Sequence, residues 1–181
     1  ADAAKIGGGA ALGAIIGAPN ASVMLRIGGP QRTAISQACG ALASALIGTA
    51  EYYKLKPHGF TMGALIVETL LGFLTVTASV MAWGKLQEVL PGRPVTYKGQ
   101  FFVNMGVLAS AIVLGAIIVL HPERTELYPW FVALALTFGV FLILPIGGAD
   151  MPTVIALLNS YAGLSAGAMG FALDNKLLII A

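Results

Sequence analysis

The sequence predicts an all-α fold, a polytopic integral membrane helix bundle, and three observations carry that prediction. Hydrophobic residues make up 57% of the chain and charged residues 10%, whereas a soluble domain devotes roughly a quarter of its residues to Asp, Glu, Lys and Arg. Mean hydropathy is +0.87, so water is not its only solvent. The apolar residues come in blocks near the roughly 20 residues that cross about 30 Å of hydrocarbon, which leaves room for about six crossings in a single transmembrane domain spanning residues 1–181.

The first crossing is predicted over 6–25, rich in Gly7, Gly8, Gly9, Gly13 and Gly17, small residues that let another helix approach closely, with Pro19-Asn20 as a break. The second runs over 31–50, opened by Pro30, and the third over 61–83. The fourth covers 101–120, the fifth 128–146 and the sixth 152–173, with a seventh starting at Lys176. Nearly all the charge falls between them, in Glu51 to His58, in Lys85 to Lys98 with its Pro91-Gly92-Arg93-Pro94 turn, and in His121 to Glu126. Tyr52, Tyr53, Trp83, Tyr97, Tyr128 and Trp130 fall close to helix ends, where amphipathic rings sit at the membrane boundary. The chain opens at Ala1 without a methionine and closes inside the apolar run Leu177 to Ala181, so the expectation is a segment of a longer polypeptide. No basic stretch with a cleavage site precedes Ile6, and the first block reads as a membrane helix, not a signal peptide.

Charge excludes some functions and leaves orientation open. Net charge is +2, and the cations are scattered singly, with no basic stripe for a phosphate backbone, so nucleic acid is not a partner. Arg26, Arg32, Lys85, Arg93 and Lys98 on one side balance Lys5, Lys54, Lys56, Arg124 and Lys176 on the other, so the positive-inside rule decides nothing. Cys39 sits in an apolar segment as a small packing residue. His58 and His121 stand in loops without Cys, His or acid partners at metal-ligand spacing, so no metal site is expected. The Gly7 to Gly13 run fails the dinucleotide fingerprint, because Leu12 stands where the third glycine belongs, and no cofactor site is expected in this segment.

Polar groups inside hydrocarbon cost one to several kcal/mol unless paired or wet, which makes each a functional candidate. Glu68, about two turns into the third crossing, is either an interfacial acid or a buried carboxyl that is protonated or leans on a partner. Thr75, Thr77 and Ser79 follow on the same helix, where hydroxyls commonly bond back to their own carbonyls. Asn159 should face the bundle interior, holding a neighbouring helix or a water. Asp150 precedes the sixth crossing as an N-cap candidate. An internal echo links two crossings: Pro30 and Pro152 are each followed seven residues later by an amide, Gln37 and Asn159, with Ala34/Ala156, Leu42/Leu164 and Gly48/Gly170 also coinciding. Both amides would lie about 10 Å into parallel helices at 1.5 Å per residue, a pattern shared by chance or by the repeats of transporters.

Ile146-Gly147-Gly148-Ala149-Asp150-Met151-Pro152, followed by Leu158-Asn159-Ser160-Tyr161-Ala162-Gly163, resembles the membrane domain of the proton-translocating nicotinamide nucleotide transhydrogenases, in their beta subunit. Ala78-Ser79-Val80-Met81-Ala82-Trp83-Gly84-Lys85-Leu86 and the Pro-Gly-Arg-Pro turn after it are similar to runs of the same family. The resemblance implies a proton-conducting domain in a bacterial cytoplasmic (inner) membrane, coupled to hydride transfer between NAD(H) and NADP(H) in soluble domains outside this chain. It also implies an alpha subunit and a homodimer of protomers as partners, and a cytoplasmic location for Arg26, Lys85 to Lys98 and Asp150. By the same resemblance Asn159 matches a proton-path asparagine, Ser79 a serine beside the path, Asp150 an acid near the docking surface of the soluble domain, and Glu68 an acid of some members. The second crossing departs from the pattern, with Gln37 where many members carry a proton-carrying histidine and Gly29-Pro30 where they have an acidic Met-Pro opening. An amide does not exchange a proton near neutral pH, so the titrating group lies on another helix or subunit, or is Glu68. A non-catalytic membrane scaffold and a small-solute transporter are the rival readings.

Overall fold

The computed structural model describes residues 28–55 and 58–180 together with 11, 13–15 and 18. Among them the regular structure is entirely helical, and five helices are long and apolar enough to cross a membrane. We number the helices α1 (Gly29–Leu55), α2 (Gly59–Leu86), α3 (Gln100–Leu120), α4 (Tyr128–Ile143), α5 (Met151–Ala172) and the short α6 (Lys176–Ile180). The crossing predicted over 6–25 lies outside the described residues except for 11, 13–15 and 18, so α1 occupies the second predicted crossing.

Differences at the helix ends have local causes. α1 runs on past Ala50 through Glu51 to Leu55, because charge marks the edge of the hydrocarbon and not the end of a helix; the extra turn carries Tyr52 into the core. α4 stops at Ile143, short of the predicted 146, where Pro145 lacks the N–H to continue the ladder and its ring would meet the preceding turn. Gly99, at φ 82, sets the left-handed step into α3 that a side chain would strain. Pro152 lies in the first turn of α5, where its missing N–H leaves no bond unmade.

α2 is the hub, packed against each of the other four long helices, and it is the most buried of the five while α3 is the least. Close approach depends on glycine: a Cβ at Gly72 would stand 2.9 Å from the Ala45 Cβ, and one at Gly139 would collide with the Leu74 carbonyl and the Thr77 hydroxyl. Contacts between Gly48 and Glu68 and between Gly72 and Ala45 set α1 antiparallel to α2. Gln37 meets Ile155 and Ser44 meets Ser165, so α1 and α5 run parallel. The bundle thus has a tyrosine side, holding the ends Leu55, Gly59, Leu120 and Tyr128, and a loop side, holding Leu86, Gln100, Ile143 and Met151.

Candidate functional site

Glu68, Gly72, Thr75 and Ser79 follow one another at helical steps along a single buried face of α2. At about 1.5 Å per residue this stripe is about 17 Å long, more than half of a roughly 30 Å hydrocarbon core. Gln37, Ala41, Ser44 and Gly48 repeat the same steps on α1, running the opposite way. Sequence had singled out Glu68, Ser79 and Gln37; the fold brings them onto one seam.

On the tyrosine side the seam is closed, and the polar groups around Glu68 are all hydrogen-bonded, while the Tyr52 hydroxyl beyond them is buried without a partner among the described residues. Glu68 is 0% exposed, and the Ser44 hydroxyl donates to its Oε1 at 2.9 Å. Ser165 reaches the same oxygen at 3.5 Å and the Glu68 carbonyl at 3.2 Å, while Thr69 Oγ1 donates to Oε2 at 3.3 Å. The carboxyl group occupies the space a Cβ on Gly48 would take, so that position has no side chain. Beyond it, Tyr128 Oη lies 3.2 Å from Thr69 Oγ1 and 2.9 Å from Thr49 Oγ1, and Thr49 also donates to the Ala45 carbonyl at 2.7 Å. The Tyr128 ring stacks on Tyr52 with centroids 4.1 Å apart. Among the described residues no cation pairs with Glu68. Each partner is a hydroxyl, which can donate to a carboxylate or accept from a carboxylic acid. The interfacial reading of Glu68 is thereby set aside by its burial and partners.

On the loop side the same seam is open and incompletely paired. Gln37 Nε2 donates to the Ile155 carbonyl at 3.1 Å, but its Oε1, Thr75 Oγ1 and Ser79 Oγ are buried with no partner among the described residues. The expected bond back to the helix is present only in Thr77, whose hydroxyl also reaches the Leu136 carbonyl at 2.8 Å. Beside Gln37 an open cavity of about 410 Å³ is lined by Pro30, Thr33, Gln37, Pro152, Ile155, Ala156 and Asn159. Asn159 is exposed at this cavity and not enclosed in the bundle. The echoed pairs Pro30/Pro152 and Gln37/Asn159 therefore face one another across a single space between parallel helices.

Asp150 lies at the surface and occupies the N-cap position of α5, as expected, but its side chain makes no capping bond, because the 3-10 turn Gly148–Asp150 leads directly into the helix. That turn is fastened to the loop after α2: Gly148 N donates to the Gly92 carbonyl at 2.7 Å and Val95 N to the Leu144 carbonyl at 3.0 Å. Lys85, 3% exposed, holds the junction by donating to the carbonyls of Ile143, Leu144 and Ile146 at 3.1, 2.9 and 2.6 Å. A cation on the last carbonyls of α4 also matches the negative end of that helix. The 85–98 loop and the 147–150 turn are thus one braced platform.

Ser44, Thr49, Thr69, Ser165 and Tyr128 are site residues that sequence reasoning missed. Helical steps from Gln37 to Ser44 and from Glu68 to Ser79 were a usable signal; Tyr128 carried none, since a boundary tyrosine explains itself. Cys39 is exposed on α1, and His121 pairs with Glu123 at 3.3 Å. No group of three or more metal-ligating side chains occurs among the described residues.

Residues 2–181 match the protein family described as NAD(P) transhydrogenase beta subunit. Two relatives named NAD(P) transhydrogenase subunit beta, from Rhodospirillum rubrum and from a strain of it, are each 38% identical over 180 aligned residues, covering 94% of this chain. The alignment takes in 39% of their length, so the chain spans about two fifths of the curated relatives it matches.

Proposed function

Because this chain belongs to the NAD(P) transhydrogenase beta-subunit family, we propose that it is the proton-conducting membrane part of such an enzyme. The observation that carries the reading is the buried polar seam, which runs from the cavity at Asn159 and Gln37 past Ser79 and Thr75 to Glu68. Protons entering at the loop side change the hydrogen bonding of Gln37 and Asn159, whose amides rearrange without titrating, and Glu68 is the group in the seam that takes up and releases a proton. Asp150 and the braced 85–98 loop carry the resulting shift to a soluble NADP-binding domain, biasing it between open and occluded states.

The hydride step lies elsewhere in the enzyme. The Gly7 to Gly13 run, with Leu12 where the third glycine of a dinucleotide fingerprint belongs, supports this reading. Both cofactors belong to soluble domains outside this chain, and the working assembly includes an alpha subunit and a second protomer in a bacterial inner membrane.

The test is hydride transfer from NADPH to an NAD analogue by the full-length assembly in sealed liposomes, with internal pH recorded, in wild type and in Asn159→Leu. The expected result is transfer linked to a pH change in wild type and loss or uncoupling in the variant. Unchanged proton movement in a folded Asn159→Leu protein would remove Asn159 from the path.

A further inference from the structure

The hydroxyls of Thr69, Tyr128 and Thr49 form a row that the path from Asn159 to Glu68 does not use. From Glu68 Oε2 the successive oxygen separations are 3.3, 3.2 and 2.9 Å, and the row ends at the Ala45 carbonyl, 2.7 Å from Thr49 Oγ1. Each hydroxyl has one proton, so the row has two self-consistent settings. With Glu68 ionised, Thr49 donates to Tyr128, Tyr128 to Thr69, and Thr69 to the carboxylate. With Glu68 protonated, every bond reverses, and the last proton turns onto the Ala45 carbonyl. Both settings satisfy the buried oxygens of the row. Glu68, Thr69 and Tyr128 are buried, whereas Thr49 is partly exposed, on the last turns of α1 toward the tyrosine side.

We propose that Thr69, Tyr128 and Thr49 are the relay through which Glu68 exchanges protons with water on the tyrosine side of the membrane. In one transfer the Glu68 carboxyl gives its proton to Thr69 Oγ1, which passes its own to Tyr128 Oη. Tyr128 passes its own to Thr49 Oγ1, and Thr49, whose original proton turns away from the Ala45 carbonyl, releases that proton to water. Each hydroxyl loses one proton and gains one, so Glu68 ends as a carboxylate and water gains the proton. Rotation of the three hydroxyls resets the row. The Tyr128 ring is held by its stack on Tyr52 and its edge contact with Tyr53, at 4.1 and 5.4 Å between centroids, without help from its hydroxyl. Removing that oxygen therefore breaks the relay and leaves the packing.

This proposal rests on the proton-conducting reading, and the experiment separates the two. In the full-length assembly in sealed liposomes, proton translocation is measured for Tyr128→Phe, Thr69→Val, Thr69→Ser and Glu68→Gln, and the carboxyl C=O stretch lost in Glu68→Gln is followed by difference infrared spectroscopy. We expect Tyr128→Phe and Thr69→Val to slow translocation by about tenfold or more, Thr69→Ser to restore it, and the Glu68 band to shift more in Thr69→Val than in Tyr128→Phe. Translocation within about twofold of wild type in Tyr128→Phe and Thr69→Val, with Glu68→Gln inactive, overturns the relay while leaving the proton-conducting reading intact. Full translocation in Glu68→Gln overturns both the relay and the role of Glu68. A Glu68 band unmoved by Thr69→Val also overturns the relay, since the row then does not touch the carboxyl.

Discussion

The two halves of the α2 stripe contain similar chemistry and opposite degrees of satisfaction. Toward the tyrosine side, Glu68 is enclosed by Ser44, Ser165 and Thr69, and its carboxyl fills the place of a side chain at Gly48. Toward the loop side, within three helical turns, Thr75 and Ser79 are buried without partners, as is the carbonyl oxygen of Gln37, which lines an open cavity. A fully satisfied buried network holds its side chains in one arrangement even when its hydroxyl protons reverse together, whereas unpaired buried groups lower stability and leave several side-chain arrangements close in energy. Along one helix, then, the part that holds the bundle together and the part free to change partners are separate, and mutations distinguish them.

The largest effect is expected where packing and the network coincide. Gly48→Val drives the carboxyl from its seat and should cost about 3 kcal/mol, from overpacking together with a broken buried network. Gly40→Val, on the same helix with nothing within 4 Å of an added Cβ, is the control. Thermal unfolding in detergent compares them; equal midpoints would show that the carboxyl is not seated against α1. Next comes Lys85→Met, which removes the donor to three carbonyls and should cost about 2 kcal/mol. Because those carbonyls anchor the platform, limited proteolysis between residues 87 and 99 should speed up while the Glu68 half keeps its stability. Unchanged cleavage would mean that the Gly92 and Val95 backbone bonds alone hold the loop.

How much of this was legible in the sequence follows from which forces are local. Apolar block length set the helices because hydrocarbon thickness is a fixed ruler, and Glu68, Gln37, Ser79 and Asn159 stood out because a polar group in such a block has to be explained. The echo between Pro30–Gln37 and Pro152–Asn159 had no meaning until parallel α1 and α5 placed its members around one cavity. The partners of Glu68 were hidden for a different reason. Ser165 lies 97 residues away, and Tyr128 sits where a boundary tyrosine is expected in any case, so only packing reveals that its hydroxyl points into the core. Lys85 reads as a loop cation in sequence, and its burial comes from α4 ending early at Pro145 and leaving carbonyls to be capped.

The smallest expected effect is the sharpest test, because it asks the same chemical change to behave differently at two positions six residues apart on α2. Thr69→Val removes a hydroxyl that contacts both Glu68 and Tyr128, and interhelical hydrogen bonds of this kind are worth about 1 kcal/mol in membrane proteins. Thr75→Val removes a hydroxyl that has no partner and substitutes a methyl group of nearly the same size. Its stability should hold or rise, by up to about 1 kcal/mol, since the methyl relieves the desolvation penalty of a buried orphan hydroxyl. Ser79→Ala should behave in the same way. If proton translocation nevertheless falls in these two variants, the loop half is kept for conduction and not for folding. If Thr75→Val is as destabilising as Thr69→Val, Thr75 has a partner in the folded protein, and the division of the seam into a structural and a mobile half fails.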